Sequence, residues 1–459
     1  MKLKSIIDKL LPYNKIFIFL LCLIIILLSL WTYVRRNVIY SGSQENKIIF
    51  GQTCSLSKKN ANLGKEYSLG YILAFDYLNR NGGVNGKFLE LIVYDDHYDG
   101  TIALDNVKTL IGYFNVFAIL GSVGTPTSVA IEDYLQNKNV PLIQPLTGTN
   151  ILRDTFKENI IHTRPSYYDE LKLILNNLLK NNKTNISVIY QNDNFGISGL
   201  NDIQFIVSLN DYQNKFNILS YGGYEPSNIL LDDALKSAFK MQDIYNDNEI
   251  KENKIFKNLD AVIIIGTDTK VIQAIRYLKP IKSDIAIYTI SFAEINNVDN
   301  KISSLSDDLL NDIYITQIFP DIESMNPNLI KLVKSELELY KKKDKVNTYY
   351  LSILRSKKLS NILIEGFLNG LLVGDVLKDL KEITRESFIK EFYKKKNFDI
   401  FNFKYGPYLN YEDCKDNIDP KLCPCNTGLR YVYLYKYNVK KRDFDEIEQN
   451  EDELYCRRV

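Results

Sequence analysis

Two sets of apolar runs, each run followed by a stretch with helical spacing, limit what this chain can fold into more than any other feature. The first set is KIIFGQT (47–53), FLELIVYD (88–95), FAILGS (117–122) and PLIQPL (141–146); the second is ISVIYQ (186–191), DAVIIIG (260–266) and IAIYTIS (285–291). Near-continuous apolar character marks strands covered on both faces, whereas a strand wet on one face alternates. The stretches between them, such as GKEYSLGYILAFDYLNRNGG (64–83), place apolar residues three and four apart and end in Gly82-Gly83, a helix stop. The rhythm predicts an α/β fold of doubly wound parallel sheets with helices on both faces.

Composition removes several function classes. A length of 459 residues gives room for about three units of ordinary domain size. The 57 Lys plus Arg against 56 Asp plus Glu leave no basic field to gather phosphate backbones, so nucleic acid is not an expected partner. The two histidines, His97 and His162, lie far apart and outside any ligand spacing, and no metal site or cofactor is expected. The chain holds no G-x-S-x-G elbow, no H-E-x-x-H and no P-loop. Asp95-Asp96 follows a strand, where capping or turn formation is the expected job. The chain is read as not an enzyme.

Residues 16–34, IFIFLLCLIIILLSLWTYV from Ile16 to Val34, carry no charge and approach the ~20 apolar residues that cross a bilayer core. Lys2, Lys4, Lys9 and Lys15 precede the run and Arg35 and Arg36 follow it, which favours an N-terminus inside and the remainder outside. Trp31, Thr32 and Tyr33 stand where a cleaved signal would carry small residues, so the run is read as an uncleaved transmembrane anchor and 1–39 as a cytoplasmic stub plus anchor. Cys414, Cys423, Cys425 and Cys456 gather near the C-terminus, where a disulfide from Cys414 to Cys423 or Cys425 would suit an oxidising compartment. Beyond Asn438, residues 438–459 are dense in charge and read as a partly disordered tail. The polar stretch 241–254 reads as a surface insertion.

In parallel sheets ligands collect at the carboxyl ends of strands, which selects particular loops. The loop from Gly121 to Ser128 offers the hydroxyls of Ser122, Thr125, Thr127 and Ser128 at a helix start, either to receive a carboxylate or simply to cap the helix. The loop from Gln144 to Asn150 brings Thr147 and Gly148 toward the same place. From the second set come Phe195, as an aromatic wall or a core residue, then Thr267 and Asp268, then Ser291 and Phe292. Asp268 or Glu294 would pair with an ammonium group if either is more than a surface acid.

The motifs GQTCSLS, LGKEYSLGYILAFDYLNRNGGVNGKFLELIVYDD, ILGSVGTPTS, PLIQPLTG, HTRPSYYDE, QNDNFGISGL and EGFLNGLLVGDVL follow one another in this order. Between Lys47 and about Asn438 the chain resembles the type I periplasmic binding proteins of the leucine/isoleucine/valine-binding group, a fold also found in receptor ligand-binding regions. The resemblance implies two α/β lobes joined by three crossovers, with lobe I at 47–163 plus 320–382 and lobe II at 164–319 plus 383–437. It carries a ligand-carboxylate contact onto Ser122, and lining positions onto Thr147 and Gly148. Phe195 takes the place of a covering aromatic, often Tyr, and Thr267, Asp268, Ser291 and Phe292 lie in the segments that contact the amino group. No acid aligns with the family's ammonium partner. Arg164, Tyr167 and Tyr168 fall near the first crossover as hinge or lobe-packing residues.

The expected function is a membrane-tethered, extracytoplasmic solute-binding protein. It would capture an amino acid or similar small polar metabolite by lobe closure, with an ABC-type permease as the partner implied by the resemblance. The alternative is a sensor subunit, which would need a separate signalling partner because only about fifteen residues precede Ile16.

Overall fold

The structure is a computed structural model that describes residues 23–26, 29, 46–293, 302, 305–356, 358–410, 412 and 426–450. Two parallel sheets organise the chain. The first has five strands, β1 (Lys47–Cys54), β2 (Phe88–Asp95), β3 (Ile119–Leu120), β4 (Leu142–Ile143) and β5 (Ile160–Ile161), in the order β2-β1-β3-β4-β5. The second contains β6 (Asn185–Gln191), β7 (Asn217–Tyr224), β8 (Ala261–Ile265), β9 (Ala286–Thr289) and β10 (Ile313–Gln317), all parallel. A two-stranded hairpin of β11 (Phe398–Ile400) and β12 (Phe403–Tyr405) stands apart. Finally, β13 (Tyr433–Asn438) joins β10 antiparallel, and β14 (Asp443–Gln449) joins β13. The second sheet therefore runs β14-β13-β10-β9-β8-β6-β7.

Continuous burial explains the central strands. All five residues of β8 are buried, as are all five of β10, because helices cover both faces. On the first lobe, the helices Gly100–Gly112 and Thr125–Asn137 close one face over Ile119, Leu142 and Ile160. The other face is covered by the helices Ala61–Arg80 and Asn361–Lys378, which pack on each other through Gly70, Gly366 and Gly370. A buried polar set fastens this helix pair to the strand ends. The Tyr67 hydroxyl donates to the Gln144 carbonyl at 2.9 Å and Asn369 Nδ2 donates to the Tyr67 hydroxyl at 2.7 Å.

The chain passes between lobes three times. The first passage follows β5 into the helix Tyr167–Lys180, the second leaves β10 for the helix Pro327–Lys341, and the third leads from β12 to β13. Passages one and three pair as strands at His162 and Thr427. Arg153 locks them, with Nη1 donating to Thr427 Oγ1 at 3.0 Å and Nη2 to the carbonyls of Thr147 and Arg164, both at 3.2 Å.

Two boundaries differ from the sequence expectation. The stretch after 383, assigned there to the second lobe, begins with the helix Arg385–Lys395 on the first lobe. Arg385 donates to the carbonyls of Val116 and Phe117, and Phe388 meets Phe117 edge-on at 5.5 Å between ring centres. An amphipathic pattern shows that a helix buries one face but not which core receives it. The second difference is the tail, because residues 443–449 form the edge strand β14. Phe444 packs on Tyr437 while the charges face outward, the composition by which edge strands resist pairing with other chains.

Among the described residues no helix is long and apolar enough to cross a membrane. Of the run 16–34, residues 23–26 and Ser29 are described; they are helical, and Leu23, Ile24, Ile25 and Ile26 are 42–56% exposed. The remainder of that run, the C-terminal cysteines and Glu294 lie outside the described residues. Cys54 is buried and unpaired as a thiol.

Candidate functional site

The carboxyl ends of both parallel sheets face one cleft, and a cavity of about 310 Å³ lies in it. The first lobe supplies Lys58, Lys59, Asn60, Ala61, Asn62 and Leu63 from the turn after β1, and Tyr98 from the turn after β2. The second supplies Gln191, Tyr224, Pro226, Thr267, Asp268, Thr269, Lys270, Phe292 and Ala293.

Acids behind the first-lobe turns set their shape. Asp95 Oδ1 accepts from the backbone of Leu56 at 2.9 Å and of His97 at 3.0 Å. Asp96 accepts from the Tyr98 backbone at 2.9 Å and from Thr53 Oγ1 at 3.0 Å. Burial pushes Asp96 up to about 7. With those anchors the backbone holds Lys58, Asn60, His97 and Tyr98 at φ of 61°, 55°, 55° and 63°, the left-handed region that side chains disfavour. Strain of this kind concentrates where the fold must aim a side chain. Gly124 completes the arrangement, since a Cβ there would sit 2.4 Å from the Tyr98 ring.

Tyr98 reaches across the cleft, its hydroxyl donating to Asp193 Oδ2 at 3.4 Å. Asp193 also accepts from Gln191 Nε2 at 2.6 Å and caps the helix Asn194–Ser208, and burial raises its carboxyl above the usual range. Thr149 and Ser198 share a 2.8 Å hydroxyl contact, and Asn150 donates to Asp202 at 2.6 Å. Three polar contacts thus bridge the lobes on one side of the cavity.

The residues selected by sequence, Ser122 aside, separate into three places. Thr267, Asp268 and Phe292 line the cavity. Thr147, Gly148 and Phe195 surround Tyr167 instead. Its hydroxyl lies 3.1 Å from Thr147 Oγ1 and 3.0 Å from Thr125 Oγ1, while a Cβ on Gly148 would strike its ring at 2.5 Å. The rings of Tyr167, Phe195 and Phe292 stand edge to face at 5.5, 5.6 and 5.9 Å, so Phe195 is both wall and core. Burial pushes the Tyr167 phenol up to about 12, which keeps it a neutral donor within this hydroxyl set. Ser122 is fully buried, bonded to Ser128 Oγ at 2.8 Å, and does not line the cavity.

Ser291 belongs to the third place, the hinge. Its N–H donates to Glu170 Oε2 at 2.8 Å and its hydroxyl to Glu170 Oε1 at 3.0 Å. Arg164, buried in the first passage, donates to Ser291 Oγ at 2.8 Å, lies 4.1 Å over the Phe292 ring and approaches Glu365 at 3.5 Å. The guanidinium therefore joins both lobes and the aromatic wall of the cavity.

Sequence reasoning missed Lys58, Lys59, Tyr98, Tyr224 and Lys270. The strand-end rule, applied also after β1 and β2, points to the first three. Tyr224 ends β7, whose Gly222-Gly223 interrupts the apolar run. Among the described residues no group of three or more His, Cys, Asp or Glu is placed to hold a metal.

Two lobes of this topology with a cavity between them invite comparison with known proteins. A family described as "Periplasmic binding protein" matches residues 47–215. Over those residues the chain is similar to the periplasmic binding proteins. Among curated relatives, the Leu/Ile/Val-binding protein homolog 7 of Brucella abortus (strain 2308) is 27% identical over 160 residues, which span 33% of this chain and 40% of that protein. Among solved structures, a possible leucine/isoleucine/valine-binding protein from Rhodopirellula baltica SH 1 superposes with a TM-score of 0.68 at 22% identity, covering 88% of this chain and 96% of the other. A fatty acid ABC transporter substrate-binding protein from Thermomonospora curvata gives 0.67 at 17% identity, with 90% and 94% covered. A periplasmic binding protein fold thus accommodates ligands of different chemistry, and the side chains of each cleft decide which.

Proposed function

We propose that this chain is an extracytoplasmic solute-binding protein that captures a small polar metabolite, amino-acid-like in size, by closing its lobes, and delivers it to an ABC-type importer. The cavity of about 310 Å³ between the two lobes, fed by residues of both, is the observation that carries this reading. A ligand touching both walls favours the closed arrangement by its differential affinity, which is all that capture requires. Nothing in the reading calls for covalent chemistry. We propose Thr267, Asp268 and Phe292 as ligand contacts, with Tyr98, Tyr224, Lys58, Lys59 and Lys270 beside them. Ser122, Thr147, Gly148, Phe195 and Ser291 then act as supports behind the wall. The run 16–34 tethers the protein to the membrane; the exposed apolar residues 23–26 support that part of the reading.

A thermal-shift screen of the full chain against amino acids, amides, short peptides and carboxylates tests capture. Ligand at 100 times its Kd stabilises by about 2.7 kcal/mol, a readily measured rise in midpoint. A panel in which no compound raises the midpoint would remove the main support for the proposal.

A further inference from the structure

Resting on the capture reading, we infer that the ligand of this cleft is a small dianion, carrying two carboxylates or a phosphate, and not a net-neutral amino acid. Three lysines line the cavity, Lys58, Lys59 and Lys270, against a single acid, Asp268. That carboxylate is already engaged, with Oδ1 accepting from the backbone of Thr269 at 2.6 Å and from its hydroxyl at 3.1 Å. The ammonium of an amino acid would therefore meet an excess of positive charge.

The lysines differ in their commitments. Lys58 and Lys59 are exposed and form no ion pair or side-chain hydrogen bond among the described residues. Asp95 and Asp96, behind the first-lobe turns, hold backbone N–H groups of those turns. Lys270 is 6% exposed and fixed, donating to the carbonyls of Asn228 at 2.7 Å and Ile229 at 2.8 Å and lying over the Tyr224 ring. Its two carbonyl partners are neutral, and Asp232 is the acid whose charge acts on it. Asp193 stands behind Tyr98 and Gln191, and both donate to it.

Backbone dipoles add to the same field. The helix Ala61–Arg80 begins in the cavity wall without a side-chain cap and with no acid in its first turn. The helix Asp268–Ile281 begins in the opposite wall, its Thr267 N-cap making no side-chain bond and Asp268 standing in its first turn. Both positive ends face the ligand space from opposite lobes. A dianion placed there bridges the lobes by charge, with one end at the exposed pair Lys58 and Lys59 and the other near Lys270. The rings of Tyr98, Tyr224 and Phe292 enclose what joins the two charges.

Isothermal titration of the full chain with glutarate, inorganic phosphate and leucine at low ionic strength tests the inference. We expect glutarate or phosphate to bind at least tenfold tighter than leucine, and whichever of the two binds identifies the source of the charge. The double variant Lys58→Gln/Lys59→Gln should weaken that dianion at least tenfold with an unchanged thermal midpoint in its absence, because both side chains are exposed. Leucine binding tighter than either dianion overturns the inference and leaves capture standing. Dianion affinity unmoved by the double variant also overturns it. Absence of any binding here, together with no hit in the wider thermal-shift panel, fells both readings.

Discussion

Glu365→Gln should flatten part of the pH dependence of stability. Glu365 sits on the helix Asn361–Lys378, fully enclosed, with neither carboxylate oxygen in a hydrogen bond. The groups facing it are Arg164 at 3.5 Å, Glu170 beyond that guanidinium, and the phenols of Tyr67, Tyr71 and Tyr405. Burial pushes its carboxyl up to about 7, with Arg164 opposing the rise and Glu170 adding to it. In the unfolded chain the group titrates at its ordinary 4.5. The stabilising contribution is complete below 4.5, falls as the unfolded chain releases its proton and the folded one keeps it, and is gone above about 7. At about 1.36 kcal/mol per pH unit the gap amounts to about 3 kcal/mol.

Asp96 and His162 are among the other buried groups that titrate in this range, so the comparison must be a difference. Asp96, also raised to about 7, loses stability in the same direction. His162, driven down by burial and by Arg153, acts in the opposite sense, since its contribution is present above the ordinary 6.5 and lost as pH falls. Subtracting variant from wild type at each pH cancels both. Urea unfolding followed by far-UV circular dichroism at pH 5 and pH 8 is the assay. The glutamine variant should gain about 3 kcal/mol on the wild type between those pH values. A wild-type-minus-variant difference that stays constant would refute the assignment of the buried proton to Glu365.

Gly366→Ala should destabilise the first lobe, because its Cβ would lie 2.3 Å from the Tyr67 carbonyl oxygen where two helices cross. Overpacking of about 1–3 kcal/mol outweighs the gain of up to about 1 kcal/mol from replacing a helical glycine, and an unchanged or raised urea midpoint would contradict this. Cys54 should resist iodoacetamide at pH 8 in the native protein and react after denaturation, as read by peptide mass spectrometry. Burial and the neighbouring Asp96 and Asp95 hold its thiol well above the ordinary range, so native-state labelling at the denatured rate would show that the site opens.

Apolar runs and helical spacing alone determined the α/β class and the places of β1, β6 and β8, because strands buried on both faces leave continuous apolar sequence that local reading detects. The strands after them were harder: β7 is broken by Gly222-Gly223, and β14 is mostly charge. Their pairing depends on partners distant in the chain. The same holds for the helix Arg385–Lys395, whose amphipathic face fits either core until Phe117 and Phe388 are seen together. Strand-end logic reached Thr267, Asp268 and Phe292 at the cavity, since in parallel sheets the chain direction itself delivers those loops to one side. Only the tertiary structure decided that Tyr167 would occupy the hydroxyls of Thr125 and Thr147, and that Lys58, Lys59 and Lys270 would converge across the cleft. Position along a strand is written locally, whereas which side chains share a cavity depends on how two lobes, folded from non-contiguous segments, come to face each other.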